Sequence, residues 1–159
     1  MSIEYDQRSA ARVLLLDDQD RVLLLHGYDP ADRDRGPWWF TPGGGLEPGE
    51  PHQAGAAREL FEETGLRLDP VQFTGPVYEQ VVEFPLDGRR YRQAEQFFLA
   101  RIPSWEVDTS GFTDLELRSV DGHRWWSVEA LRSTAERVYP AGLADLIAGV
   151  LQAGAAEGA

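Results

Sequence analysis

An α/β fold, with a mixed sheet sandwiched between helices, is what this sequence predicts, and three observations carry the expectation. Two apolar, β-compatible runs, Ala11 to Leu16 and Arg21 to Leu25, open the chain. Val77 to Leu86 and Arg89 to Ile102 flank Asp87-Gly88, and that dipeptide between two β-rich runs is a strong hairpin signal. Helical spacing marks residues 51–64 and 142–152, the latter with Leu143, Leu146, Ile147, Val150 and Leu151 on one stripe.

The elements follow in order. Asp-Asp-Gln-Asp joins the first two runs as a short polar loop, giving a hairpin. The segment between His26 and Trp38 is rich in turn formers and charges and has no period, so it reads as an exposed loop. Arg33 and Arg35 in it are candidates to clamp substrate phosphates, because a guanidinium pairs with phosphate oxygens in a bidentate way; surface pairing with Asp32 and Asp34 is the alternative. Trp38 and Trp39 are adjacent, so on a strand they point to opposite faces. Core packing and stacking on a base or sugar both stay open for them, and Trp39 is the substrate-binding candidate.

The 51–64 helix is signalled at both ends. Pro51 suits the first helical position, where a missing N–H costs nothing, and Gly65 suits the left-handed position after the last turn. After the long hairpin, in which Glu95 either faces the site to hold a water or metal or, as the preferred reading, faces solvent, residues 103–122 form a loop of unusual length for a compact domain. His123 to Ser127 reads as a short strand and Val128 to Arg137 as a helix. Residues 1–152 are expected to make one domain, with 153–159 a frayed tail.

The chemistry concentrates at residues 44–66. At about 100° per residue, Glu59, Glu62 and Glu63 share one face of the helix while Ala57, Leu60, Phe61 and Thr64 centre on the other. Like charges three and four residues apart repel, and each raises the pKa of its neighbours. The cluster therefore favours a hard divalent cation with oxygen ligands. Mg2+ fits best, with Mn2+ as a substitute, since Mg2+ accepts a few carboxylates and bridges to phosphate oxygens. Glycines 43 to 45 just before the helix let backbone approach an ion or phosphate closely.

Gly44, Glu50, Arg58, Glu59, Leu60, Glu62, Glu63, Gly65 and Leu66 occupy, without departure, the nine spaced positions of the signature that marks the Nudix hydrolases, and the chain resembles that family. Trp39-Phe40-Thr41-Pro42-Gly43 resembles its lead-in strand, and His123-Arg124-Trp125-Trp126-Ser127 its late strand. The resemblance implies a Nudix-type α/β/α sandwich and hydrolysis of a diphosphate bond in a nucleoside diphosphate linked to another moiety. It implies that Glu59, Glu63 and the Gly43 carbonyl bind metal. Glu62 is implied as a third ligand or the holder of a water beside the metal, with Glu50 and Arg58 orienting the ligands. A late-loop carboxylate, Glu116 before Asp114, is implied as the catalytic base or an extra ligand. Positions 82 to 84 read Val-Glu-Phe where some branches carry a substrate marker, so the substrate stays generic, from nucleoside triphosphates and damaged nucleotides to nucleotide sugars and ADP-ribose. A homodimer is compatible with the family. The competing reading, a non-catalytic nucleotide-sensing module of the same fold, predicts lost carboxylates or an attached DNA-binding domain.

Bulk composition narrows the partners. With 27 acidic against 15 basic side chains the net charge is −12, the wrong sign for coating a long nucleic acid through counterion release. A small nucleotide-type substrate suits the chain better, since a bound cation inverts the local field of the carboxylates. There are no cysteines, which excludes disulfides and thiolate nucleophiles and suits a reducing compartment. No run approaches the roughly 18 apolar residues of a membrane span, and the start lacks an export pattern, so the cytoplasm is the expected location.

Overall fold

The computed structural model describes residues 4–157. Its centre is the first hairpin. Strand β1 (Asp6–Leu16) starts well before Ala11 and β2 (Val22–Gly27) follows it. Between them Asp17, buried, accepts from the backbone N–H of Gln19 and Arg21, and Asp20 takes a left-handed φ of 58° to close the turn. Strands β3 (Trp38–Phe40) and β4 (Gly43–Gly45) come next, then helix α1 (His52–Thr64), which starts one residue later than expected, with Pro51 as its cap residue rather than its first helical one. Gly65 ends α1 at φ 75°, donating to the Phe61 carbonyl, as its position predicts.

The long ribbon is β5 (Thr74–Leu86) and β6 (Arg89–Arg101), closed by Asp87 and Gly88 at φ 50° and 80°. Both turn residues have φ above zero, as a two-residue hairpin turn of this twist requires. The 103–122 stretch is not all loop. Helix α2 (Asp114–Ser119) lies inside it and β7 (Val120–Trp126) starts three residues before His123. Thr113 and Glu116 form a capping box that fixes the start of α2, a local signal that outweighs the segment's lack of apolar period.

Helix α3 (Val128–Ser133) is shorter than expected, because the chain after it runs beside β3, the Arg137 carbonyl accepting from the Trp39 N–H at 2.8 Å, and continues as β8 (Val138–Tyr139), parallel to β3. Helix α4 (Leu143–Glu157) is longer, running past Gln152 through most of the expected tail; residues 158 and 159 lie outside the described residues. Alanine is the best helix former, so the alanines around Gly154 offset its cost of about 1 kcal/mol and the helix continues.

The sheet is mixed, in the order β5-β6-β1-β2-β3-β8, with β4 also on β1 and β7 also on β2. Strand β1 pairs parallel with β6 along its whole length, from Asp6 opposite Tyr91 to Leu16 opposite Arg101. Because both faces of β1 and β2 are covered, their sequences run continuously apolar. Ala11, Val13, Leu15 and Leu23 pack with Ala56 and Leu60 of α1 on one side. Leu14, Leu16, Val22 and Leu24 pack with Trp126, Leu131, Leu143 and Ile147 on the other. These two cores make the three layers of an α/β/α sandwich. Truncating a fully buried residue such as Leu60 to Ala would cost about 2–5 kcal/mol.

Candidate active site

Helix α1 delivers its carboxylates beside the glycine turn of β4. Glu63 is 2% exposed and accepts a hydrogen bond from the Gly43 N–H at 2.8 Å. Gly44 lies against Glu59, where a Cβ would come within 2.8 Å of the carboxylate oxygen and push the carboxylate aside. Gly43, at φ 135°, would place a Cβ 2.3 Å from the Ala11 carbonyl.

Across from α1, the capping box of α2 presents Glu116, and carboxylate oxygens of Glu59, Glu63 and Glu116 lie within 4.8 Å of one another. Burial, reinforced by Glu59 and Glu116, holds the Glu63 carboxyl well above the usual carboxylate range. Glu59 is raised as well, first by burial and then by Glu62 and Glu116, against the pull of Arg58. Three acidic groups kept this close, two of them shifted upward, are mutually unfavourable until a cation joins them. An all-oxygen donor set of this kind fits a hard divalent ion.

Arg58 orders the acidic face. It forms two hydrogen bonds of 2.9 Å with Glu50, reaches Glu59 at 3.1 Å and Glu62 at 3.3 Å, and donates to the Gly45 carbonyl at 3.1 Å. The pair with Arg58 draws the Glu50 carboxyl below its usual range. Neither Glu50 nor Arg58 belongs to the three-carboxylate group. Both act as its scaffold.

Glu59, Glu62, Glu63 and Glu116 form part of the lining of a cavity of about 460 Å3, roofed by the β5–β6 ribbon, whose Gln80, Val82, Phe84 and Leu86 line it. That volume suits a small ligand. The residue pattern matches the NUDIX domain family model over residues 6–147. This chain belongs to the Nudix family.

Among relatives, an RNA pyrophosphohydrolase of Erythrobacter litoralis (strain HTCC2594) is 35% identical over 112 residues, 64% of this chain and 65% of that protein. The diphosphoinositol polyphosphate phosphohydrolase 3-alpha of Mus musculus is 35% identical over 76 residues, 48% of this chain and 43% of that protein. The matched stretch thus spans no more than about two thirds of either relative. A solved MutT protein from Methanosarcina mazei Go1 superposes with a TM-score of 0.63 at 21% identity, covering 96% of this chain and 99% of that one. A MutT NUDIX hydrolase from Burkholderia pseudomallei gives 0.61 at 20% identity over 87% and 95%. At such identities the likeness is one of fold.

Within this Nudix domain the expected site residues divide. Glu59, Glu63 and Glu116 converge, while Glu62 lines the cavity outside that trio, one oxygen taken by Arg58. The Gly43 carbonyl accepts from Arg12 at 3.0 Å, which leaves one of its two lone pairs. Arg35 reaches the cavity, but Arg33 does not line it; it stacks on Tyr28 and bonds the phenol oxygen rather than Asp32 or Asp34. Trp39 packs between His26 and Trp126 in the core, and its neighbour Trp38 lines the cavity instead. The reason is parity: Trp38 and Phe40 share the face of β3 opposite to Trp39.

Arg8, Arg12 and Gln80 line the cavity without any signal in the box pointing to them, and Gln93 lies buried behind Arg8. Glu95 is not solvent-facing but 6% exposed, bonded by Arg12, Gln80 and Gln93. Burial alone would raise its pKa, yet Arg12 and the two amides together leave it lowered. The missed signal is strand parity, since Arg8 and Arg12 alternate with Ala10 on the face of β1 that carries Leu14 and Leu16.

Proposed function

We propose that this chain hydrolyses a diphosphate bond in a nucleoside diphosphate linked to another moiety, with Mg2+ held by Glu59, Glu63 and Glu116. The observation that carries the reading is the meeting of those three carboxylates within 4.8 Å in a cavity also lined by arginines. The names of the two relatives, speaking of a pyrophosphohydrolase and a diphosphoinositol polyphosphate phosphohydrolase, point to the same bond class. A sensing module without catalysis would not need the complete carboxylate set.

Bound there, a divalent cation supplies charge neutralisation at phosphate oxygens and Lewis acidity at phosphorus. The remaining work falls to the chain. Arg58 holds Glu59 and Glu62 in place through its hydrogen bonds. Water adds to phosphorus as the bridging P–O bond breaks, and a carboxylate takes the water's proton. Glu62, which lines the cavity outside the trio, is our assignment for that acceptor. The leaving phosphate departs with the bridging oxygen.

A small substrate rather than a long nucleic acid is part of the proposal, consistent with a net charge of −12. No helix among the described residues is long and apolar enough to cross a membrane, and we assign the enzyme to the cytoplasm. The test is a screen of nucleotide sugars, dinucleotides and nucleoside triphosphates with Mg2+, reading released phosphate, pyrophosphate and monophosphate. Turnover lost in chelator and restored by Mg2+ is the expected result. Metal-independent turnover, or none on any diphosphate-linked nucleotide, would refute the assignment.

A further inference from the structure

Three arginines line the cavity, and two are already neutralised. Arg12 pairs with Glu95 at 2.9 Å and spends a second nitrogen on the Thr41 and Gly43 carbonyls. Arg35 pairs with Asp29 at 3.2 Å and donates to the Pro85 carbonyl at 3.1 Å. Arg8 has no carboxylate partner among the described residues. Its Nε donates to the amide oxygen of Gln93, its Cζ lies 4.5 Å from the centroid of the Tyr91 ring, and its two Nη groups meet no acceptor among the described residues.

Those uncharged contacts hold Arg8 still without cancelling its charge. Gln93 is fully buried and gives its own N–H to Glu95 at 2.7 Å, so its oxygen is left to face Arg8. Gly45 makes room for the arginine stem, since a Cβ there would come within 2.9 Å of Arg8 Cδ, just as Gly44 makes room for Glu59. Burial and the neighbouring Arg12 disfavour the Arg8 cation by more than Tyr91, Glu59 and Glu95 favour it. A half-buried, immobilised guanidinium with both ends of its fork open is short of one thing, an anion of matching geometry.

We propose that Arg8 is the phosphate-recognising residue of the cavity: it pairs with a phosphoryl group of the substrate other than the one at Glu59, Glu63 and Glu116, so the preferred substrates carry a second phosphate there. Arg12 is by contrast a positioning residue that ties Glu95 to the glycine turn. The inference rests on the function proposed above and adds the residue that selects for a polyphosphate chain.

The test uses methylenediphosphonate, whose bridging carbon resists hydrolysis, titrated calorimetrically into the full chain with saturating Mg2+. Arg8→Ala should weaken binding roughly tenfold to a hundredfold, the worth of a charged hydrogen-bonded pair. Arg8→Lys, which keeps the charge without the fork, should fall between. Mg2+ alone should raise the melting temperature of wild type and both variants equally, and on any turned-over diphosphate the loss should fall on KM rather than kcat. Equal affinity in wild type and Arg8→Ala overturns the assignment while leaving the metal centre standing. Wild-type protein indifferent to Mg2+ overturns both. If Arg8→Ala is unfolded, Arg8→Lys decides: unchanged affinity for the diphosphonate refutes the proposal.

Discussion

At the scale of single residues, Glu63 is a buried acid whose nearest charged neighbours are also acids. Its one direct donor among the described residues is the Gly43 N–H. Glu63→Gln should keep that hydrogen bond and the fold while removing a charge from the proposed metal site. Turnover should fall by more than the roughly 10–100-fold that loss of an outer partner costs, with far-UV circular dichroism unchanged; near wild-type turnover would move the metal elsewhere. Glu59 and Glu63 also carry a pH signature. Acids whose pKa is raised on folding bind protons more tightly folded than unfolded. The cation-free protein should therefore gain stability as pH falls from neutrality toward the unfolded value of about 4.3, and lose it as pH rises. Melting curves in chelator should show this slope and Mg2+ should flatten it. Glu50 has the opposite sign, because Arg58 lowers its pKa. Its contribution is complete above about pH 4.3 and vanishes as pH falls through the lowered value, so Glu50→Gln should blunt acid sensitivity only at the bottom of the range.

At the scale of elements, β4 and α2 are short pieces with stringent geometry. Gly43→Ala combines φ 135° with a backbone contact of 2.3 Å that no rotamer can relieve. Such strain costs of order 1–3 kcal/mol before the clash is counted, so differential scanning calorimetry should report a markedly lower melting temperature. In α2 the capping box ties the fold of six residues to the position of Glu116. Glu116→Gln preserves the box, which accepts Gln at that place, and should cost activity with little stability. Thr113→Ala should instead cost about 1 kcal/mol and misplace Glu116. A matched pair of melting and rate measurements separates the two outcomes.

At the scale of the whole molecule, one buried acid joins three distant segments. Asp29, 3% exposed, accepts from Arg35 and from the Asp87 N–H at the ribbon turn, while Asp87 accepts from Arg118 of α2 at 3.1 Å. The ribbon that roofs the cavity is thereby fastened to the loop after β2 and to the helix carrying Glu116. Asp29→Asn weakens two of these ties at a cost of about 2 kcal/mol, and hydrogen exchange should speed up around residues 84–90. Unchanged exchange there would mean the roof is held by its strands alone. Cation binding acts on the same scale: Mg2+ at a hundred times its Kd should add about 2.7 kcal/mol to the native state.

The Nudix signature, the capped helix from His52 to Thr64 and the Asp87-Gly88 ribbon were legible in the chain because each is a local pattern. Spacing along one helix decides which carboxylates share a face, and φ above zero decides where Gly65 and Gly88 stand. The Thr113-to-Glu116 box was equally local and could have been read, but the acidic, aperiodic stretch around it masked it. Tertiary structure alone decided that Glu116 joins Glu59 and Glu63, that Trp38 rather than Trp39 faces the cavity, and that Glu95 is buried with Arg12. The physical reason is that pairing between residues dozens of positions apart depends on strand order and register. The parallel alignment of β1 with β6, which brings Arg8 to Gln93 and Arg12 to the neighbourhood of Glu95, leaves no trace in the spacing of either strand by itself.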